Sequence, residues 1–200
     1  TRNHAFVRVD SRKMPYDIFV YTKGMELHDG DKVVVKIKEW PADTKSPTGE
    51  IIDVLGPAGD NDTEMHAILA EFNLPYKYPE EVEKAADAIP ELIPAEEIAR
   101  RRDFRGGTTF TIDPADAKDF DDALSIRPVG ENRWEVGVHI ADVTYYVQEE
   151  SIIEAEGRER ATSVYLVDRT IPMLPEKLSN YLCSLRPDEE KLCFSAVFEM

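Results

Sequence analysis

Cysteine is scarce in this sequence, since Cys183 and Cys193 are the only two among 200 residues. No cluster of histidine or further cysteine accompanies them, which argues against a zinc site and against a framework of disulfide bonds. We therefore predict that both thiols are small core residues in a reducing cytoplasm, and that the chain has no disulfide-bonded partner.

Long hydrophobic runs and a targeting signal are also absent. No apolar stretch is long enough to cross a membrane, and the N-terminus lacks the basic-then-apolar pattern of a secretory signal. A composition of 42% hydrophobic and 32% charged residues is typical of a soluble chain of one or two domains. The sequence begins without methionine and ends within an apolar strand pattern at residues 192–200, so we expect a longer parent chain. The pattern indicates neither a membrane partner nor an oligomer.

An excess of basic residues is missing as well. The chain has 24 Lys and Arg against 40 Asp and Glu, which gives a net charge of −16. The imbalance lies entirely after position 58, because residues 1–58 contain nine basic and nine acidic side chains. Proteins that bind nucleic acid usually present a basic surface. The balance therefore counts against such a partner unless bound metal or another segment supplies positive charge.

Residues 1–58 have the pattern of a small all-β module. The short apolar or alternating runs are residues 5–9, 17–21, 32–38 and 49–55. Their spacing suits a small barrel. In the second run, strand alternation sends Ile18 and Val20 to one face and Phe19 and Tyr21 to the other. With Phe6 on a neighbouring strand, the pattern predicts an aromatic surface for binding, and packing against a neighbouring domain is the alternative.

Residues 59–100 change to a helical pattern. A first helix is predicted after an N-cap at Asp62 or Thr63, and a second is predicted to begin at Pro79 and to stop at Pro90. Acidic residues in the first turn of the second helix suit the positive end of its dipole. We interpret this segment as an acidic connector between domains whose charge is a solvated face.

Residues 101–200 contain the most informative feature, which is a group of closely spaced aspartates between two predicted apolar strands. The members are Asp113, Asp116, Asp119, Asp121 and Asp122. Carboxylates held together beside a core need a divalent cation or raised pKa values. Ligands that are all oxygen favour magnesium, with manganese possible, over zinc. Calcium and a simple surface turn are the alternatives, although the spacing lacks the glycine and terminal glutamate of an EF-hand loop.

The strands around the aspartates constrain their geometry. Strands are predicted at residues 108–112, 122–126 and 134–140. A turn at Pro114 would bring Asp113 and Asp119 together. Asp121 and Asp122 are adjacent, so only a bulge or loop would aim both at one centre.

Other polar residues of this segment have simpler interpretations. His139 lies on an apolar strand, where a single histidine is more often a core or rim residue than a catalytic one. Asp142 is expected to brace a turn. Ser179 and Ser184 lack a nucleophile elbow, and Cys183 is expected to pack rather than react.

The first segment resembles a known family. Residues 5–37 contain Ala-Phe-Val, Asp-Ile-Phe-Val-Tyr and Asp-Gly-Asp-Lys-Val-Val-Val-Lys-Ile, which together resemble a cold-shock domain, an OB-fold barrel. That family stacks single-stranded bases on exposed aromatic rings, so the resemblance implies RNA-binding roles for Phe6, Phe19 and Tyr21. His4 stands where the family usually has an aromatic residue.

The third segment has a closer resemblance, to the catalytic RNB domain of the ribonuclease II family. Motifs that match in the right order are residues 111–124, 138–147, 160–166 and 171–185. The resemblance implies processive 3′-to-5′ hydrolysis of RNA, from a single-stranded 3′ end, to 5′-nucleoside monophosphates with magnesium. By the same match, the residues that catalyse and hold metal are Asp113, Asp119, Asp121 and Asp122. Asp116 falls outside that set, and Tyr165 matches a tyrosine that stacks near the terminal nucleotide.

Taken together, the sequence predicts an α+β protein. Its expected parts are an OB-fold cold-shock domain at 1–58, a helical connector at 59–100 and the N-terminal part of a mixed α/β RNB domain at 101–200. No position corresponds to the catalytic arginine of the family, so the segment alone is expected to be inactive. A non-catalytic module that binds single-stranded RNA is the alternative function.

Overall fold

The computed structural model describes residues 3–11, 13–42 and 44–200. The chain divides into two compact units, with the boundary between Tyr76 and Lys77. Both helices and sheets are present, so the predicted α+β class is confirmed. Within the described residues, every helix is too short or too polar to cross a membrane.

In the first unit, the described residues form one four-stranded sheet and one helix. Its elements are β1 (His4–Val7), β2 (Ile18–Tyr21), β3 (Asp31–Glu39), β4 (Thr48–Pro57) and α1 (Asn61–Glu71). The strand order is β1-β2-β4-β3, with β2 and β4 parallel and the other pairs antiparallel. All four predicted strands are therefore present.

Alternation along β2 sorts its side chains as the sequence predicts. Ile18 and Val20 are buried and form a core with Ile51 of β4, while Tyr21 is exposed. The strands approach closely at Gly49, where an added Cβ would lie 2.4 Å from a methyl carbon of Val35. A side chain at position 49 would therefore force β3 away from β4.

The start of α1 corrects one prediction, because the N-cap is neither Asp62 nor Thr63 but Asp60. The Asp60 carboxylate accepts hydrogen bonds from the backbone N–H groups of Asp62, at 3.0 Å, and Thr63, at 3.3 Å. Thr63 is instead buried, and its hydroxyl donates to the Leu55 carbonyl at 3.4 Å. The helix begins earlier because the carboxylate of the extended Asp60 accepts from two N–H groups of the first turn, which have no acceptor within the helix.

The second unit contains a four-stranded antiparallel sheet, a short hairpin and several helices. Its helices are α2 (Glu80–Asp87), α3 (Ala95–Arg100), α4 (Val143–Tyr146), α5 (Ile152–Arg160) and a π-helix at Lys177–Leu182. Its strands are β5 (Thr108–Phe110), β6 (Asp122–Gly130), β7 (Arg133–Ala141), β8 (Val164–Tyr165), β9 (Thr170–Ile171) and β10 (Cys193–Glu199). The sheet order is β10-β7-β6-β5, and β8 pairs with β9.

The segment predicted as a connector is shared between the units. Helix α1 lies in the first unit, whereas α2 and α3 lie in the second. Val82 and Ala86 of α2 are buried in one core cluster with Ile153 of α5 and with Leu178 and Leu182 of the π-helix. Helix α2 begins after Pro79, as predicted.

His139 and Asp142 have the structural roles predicted for them. His139 is buried, and its ring nitrogens lie 2.7 Å from the Ser195 hydroxyl and 2.8 Å from the Ser125 hydroxyl. Asp142 caps α4 and forms a 2.7 Å ion pair with Arg101. Both side chains are therefore satisfied within the unit.

The two thiols differ in their surroundings. Cys183 is buried in the core of the second unit, where burial raises the pKa of its thiol to about 12. Cys193 lies half-buried at the start of β10. Cys183 therefore packs as predicted and is a poor nucleophile at neutral pH.

Candidate functional site

The aspartates lie in the loop that joins β5 to β6. A turn at its centre is closed by a 3.0 Å hydrogen bond from the Ala117 N–H to the Pro114 carbonyl. Asp113 precedes this turn and Asp119 follows it. The loop therefore doubles back at the proline, as the sequence predicts.

Asp121 and Asp122 occupy the end of the loop and the first position of β6. The Asp121 carbonyl accepts a hydrogen bond from the Ala141 N–H at 2.9 Å, and Asp122 pairs with Ile140. The loop thus joins the sheet at the C-terminal end of β7. Because Asp121 precedes the strand, strand alternation does not force its side chain away from that of Asp122.

Asp121 interacts electrostatically with three of the other four aspartates. Desolvation raises the pKa of Asp121, and the negative charges of Asp119, Asp122 and Asp113 raise it further, in that order. Asp116 is not among these charges. The four aspartates that the RNB resemblance implies are therefore close enough for their charges to interact.

Tyr165 lies beside this acidic region. It belongs to the hairpin of β8 and β9, and its hydroxyl donates to Asp119 Oδ2 at 2.7 Å. That hydrogen bond, followed by desolvation and the nearby charges of Asp119 and Asp121, raises the pKa of the Tyr165 phenol to about 12. Tyr165 is 66% exposed, so its ring is accessible to a ligand.

The donor chemistry of the loop fits a hard divalent cation. All four side chains supply carboxylate oxygens, which are the ligands that magnesium and manganese prefer. A cation would also offset the repulsion that raises the pKa of Asp121. Among the residues that the structure describes, no three His, Cys, Asp or Glu side chains are close enough together to hold a metal ion. Metal binding would therefore draw the carboxylates closer together.

Arg158 and Arg160 lie in the last turn of α5 and Arg169 follows the helix, and all three have structural partners. Arg158 forms a 2.5 Å ion pair with Glu154, and Arg169 pairs with Asp168 at 2.8 Å. Arg160 is buried and stacks on Tyr78, with its guanidinium carbon 3.6 Å from the ring centroid. Other residues must supply most of the positive charge that a polyanion would need.

The aromatic surface lies in the first unit, on the outward face of β1 and β2. Phe6 and Phe19 are cross-strand partners with ring centroids 5.6 Å apart, and Phe19 lies 5.1 Å from Tyr21. Phe6 and Tyr21 are 61% and 72% exposed. The three aromatic rings that were expected to form a binding surface, those of Phe6, Phe19 and Tyr21, therefore lie in one cluster.

The structure adds His4 to this aromatic surface. Its ring stacks on Phe19 at a centroid distance of 5.5 Å and an interplanar angle of 26°. His4 pairs with Tyr21 across the strands, which places it on the same face. Its imidazole thus extends the stacked surface at the position where an aromatic residue is usual in cold-shock domains.

An exposed aromatic β-module, followed by an α+β unit with an aspartate loop, defines a two-domain class of protein. Family models identify both parts: a cold shock domain matches residues 6–79, and an RNB domain matches residues 101–200. The RNB match covers half of the sequence. The chain belongs to the RNB family.

Individual proteins show the same similarity. The chain is 47% identical over 170 residues to ribonuclease R of Aquifex aeolicus, which covers 85% of this chain and 24% of that protein. The chain spans between 24% and 28% of the length of the first three curated relatives it matches.

Solved structures share the fold. RNase R of Mycoplasma genitalium in complex with double-stranded RNA matches with a TM-score of 0.83 and 25% identity, over 99% of this chain and 37% of that one. Yeast Ssd1, described as a pseudonuclease, matches with a TM-score of 0.66 and 25% identity, over 99% of this chain and 26% of that one. Nuclease and pseudonuclease therefore share this architecture, and the side chains of the site must distinguish them.

Proposed function

We propose that the protein to which this chain belongs is a processive 3′-to-5′ exoribonuclease that hydrolyses RNA to 5′-nucleoside monophosphates. The observation that carries the proposal is the acidic region, in which Asp119, Asp122 and Asp113 act together on the pKa of Asp121. Carboxylates whose charges repel one another favour a bound cation, because the cation offsets that repulsion. The proposed substrate is the 3′ end of single-stranded RNA, and the proposed location is the cytoplasm.

Magnesium, or manganese, is the proposed cofactor. Asp113, Asp119, Asp121 and Asp122 would hold it through carboxylate oxygens. The chemistry that such ions supply is activation of the attacking water and stabilisation of negative charge on the leaving 3′ oxygen.

The side chains of this chain have roles in binding and orientation. Tyr165 holds the Asp119 carboxylate with its hydroxyl and presents its exposed ring to the terminal base. In the first unit, Phe6, Phe19 and Tyr21 would stack successive bases of the incoming strand. No side chain has to act as a nucleophile, since water is the attacking group.

A non-catalytic RNA-binding module is the second candidate. It is supported by the likeness to Ssd1, which shares the fold and is described as a pseudonuclease. In that case the aromatic surface would bind RNA, and the aspartates would be dispensable.

Hydrolysis and binding by the full-length protein separate the two candidates. A single-stranded RNA labelled at its 5′ end is incubated with protein in magnesium or in EDTA, and the products are resolved. We expect shortening from the 3′ end in magnesium alone. Asp121→Asn should lower the rate at least about 100-fold, because a metal ligand contributes several kcal/mol to catalysis, and should leave RNA affinity nearly unchanged.

Asp116→Asn is the matched control, since it removes a carboxylate from the same loop outside the group of four. It should hydrolyse RNA at the wild-type rate. Binding without hydrolysis by the wild type would favour the non-catalytic module. Equal loss of binding and hydrolysis in Asp121→Asn would contradict a catalytic role for that residue.

A further inference from the structure

The side chain of Ser184 is fully buried and bonds to the backbone on both sides of Asp119. Its hydroxyl donates to the Lys118 carbonyl at 2.7 Å and accepts from the Phe120 N–H at 3.0 Å. These groups belong to the two peptide units that flank the Cα atom of Asp119. One hydroxyl therefore fixes both peptide planes, and with them the direction of the Asp119 side chain.

The contact continues along the loop. The Leu185 N–H donates to the Phe120 carbonyl at 2.7 Å, and the Ala141 N–H donates to the Asp121 carbonyl at 2.9 Å. The backbone from Lys118 to Asp121 is thus held by residues 184–185 on one side and by the end of β7 on the other.

Ser184 is itself held by the core of the second unit. It follows the π-helix, whose residues Leu178 and Leu182 are buried, and its own N–H donates to the Tyr181 carbonyl at 3.3 Å. A π-helical turn places an extra residue in the helix and is frequent at functional sites. The hydroxyl is therefore anchored next to a helix whose side chains are packed in the core.

We propose that Ser184 is a positioning residue that orients Asp119, and through the following peptide Asp121, for metal binding. This inference rests on the proposed function. The two ends of Asp119 are then held separately, its backbone by Ser184 and its carboxylate by Tyr165. Replacement by alanine removes the hydrogen bonds to the Lys118 carbonyl and from the Phe120 N–H, so the loop relaxes toward other arrangements. Metal affinity falls because the carboxylates must then be ordered on binding.

The test is metal binding by full-length Ser184→Ala without RNA. Isothermal titration with manganese gives the dissociation constant directly, and the rise of melting temperature with magnesium provides a second readout. We expect the dissociation constant to rise about 10- to 100-fold, as for other groups that orient metal ligands. The KM for RNA should stay at the wild-type value, and the rate at saturating magnesium should recover most of its loss.

Ser125→Ala is the matched control, because Ser125 is also buried and hydrogen-bonded but contacts His139 instead of the loop. It should lower the melting temperature without changing the metal dissociation constant. If Ser184→Ala and Ser125→Ala behave alike, Ser184 only stabilises the fold and the inference is overturned. If the wild type neither binds metal nor hydrolyses RNA, the proposed function fails and the inference fails with it.

Discussion

The hydroxyl of Tyr165 donates a 2.7 Å hydrogen bond to Asp119 Oδ2, across 46 positions of sequence. One tyrosine thus combines an exposed ring with a phenol that touches the acidic region. The two parts of the side chain have separable roles, because stacking needs only the ring and the hydrogen bond needs only the hydroxyl.

Two substitutions at Tyr165 should therefore give different results. Tyr165→Phe keeps the ring and should bind RNA with wild-type affinity. Tyr165→Ala should weaken binding by about 1–3 kcal/mol, the usual contribution of one stacked base. Fluorescence anisotropy with a labelled single strand measures both. Equal losses in the two variants would show that the ring does not stack on RNA.

The aromatic surface of the first unit predicts a second set of binding losses. Phe6→Ala and Tyr21→Ala each remove an exposed ring and should each weaken RNA binding by about 1–3 kcal/mol, or about 5- to 150-fold. Phe72→Ala is the control, since Phe72 is 69% exposed in the same unit but is not in contact with the aromatic cluster. A comparable loss in Phe72→Ala would contradict a specific role for the cluster.

Much of this arrangement follows from local pattern. The alternation along residues 18–21 predicts which side chains are buried. The burial pattern needs no knowledge of distant contacts, because strand alternation acts within a few residues. The exclusion of Asp116 from the group of four aspartates comes instead from the resemblance to the RNB domain.

What the sequence did not predict depends on long-range contacts. Ser184 lies 66 positions from Lys118, and a buried hydroxyl that bonds to backbone has no pattern that distinguishes it from any other serine. Likewise, the sequence pattern indicates an acidic connector at 59–100 and does not reveal that α2 packs into a core. Only the positions of Val82 and Ala86 in the core show how it packs.

The raised pKa of Asp121 predicts how charge and metal affect stability. Folding raises the pKa of Asp121, so the folded state is disfavoured when this carboxyl group is ionised. The free energy of unfolding therefore falls as pH rises through the folded pKa, and this loss of stability is present at neutral pH. Asp121→Asn should therefore melt at a higher temperature than the wild type in EDTA at pH 7.

In magnesium, the wild type should instead melt at a higher temperature than Asp121→Asn. Metal at about 100 times its dissociation constant adds about 2.7 kcal/mol of stability, which is roughly 5–10 °C for a chain of this size. Asp121→Asn should gain much less. Differential scanning calorimetry measures both effects, and equal stabilisation of wild type and variant by magnesium would count against Asp121 as a ligand.

His139 predicts a separate pH dependence of stability. Desolvation lowers the pKa of this imidazole, and the positive charge of Arg102 lowers it further. The unfolded chain therefore binds a proton at His139 more readily than the folded chain does. The contribution of His139 to the free energy of unfolding is fully present above the unfolded pKa of 6.5 and is lost as pH falls below that value. The slope from one proton is at most about 1.4 kcal/mol per pH unit.

Chemical denaturation between pH 5 and 8 tests this dependence. The interval lies above the unfolded pKa of Glu135, 4.5, and the contribution of this carboxyl to stability is lost only below that value, because hydrogen bonds from Arg127 and Arg102 lower its folded pKa to about 2. His139→Gln removes the titrating group and should flatten the profile, whatever its effect on stability at pH 8. A variant that loses stability toward pH 5 as steeply as the wild type would show that another group titrates on folding.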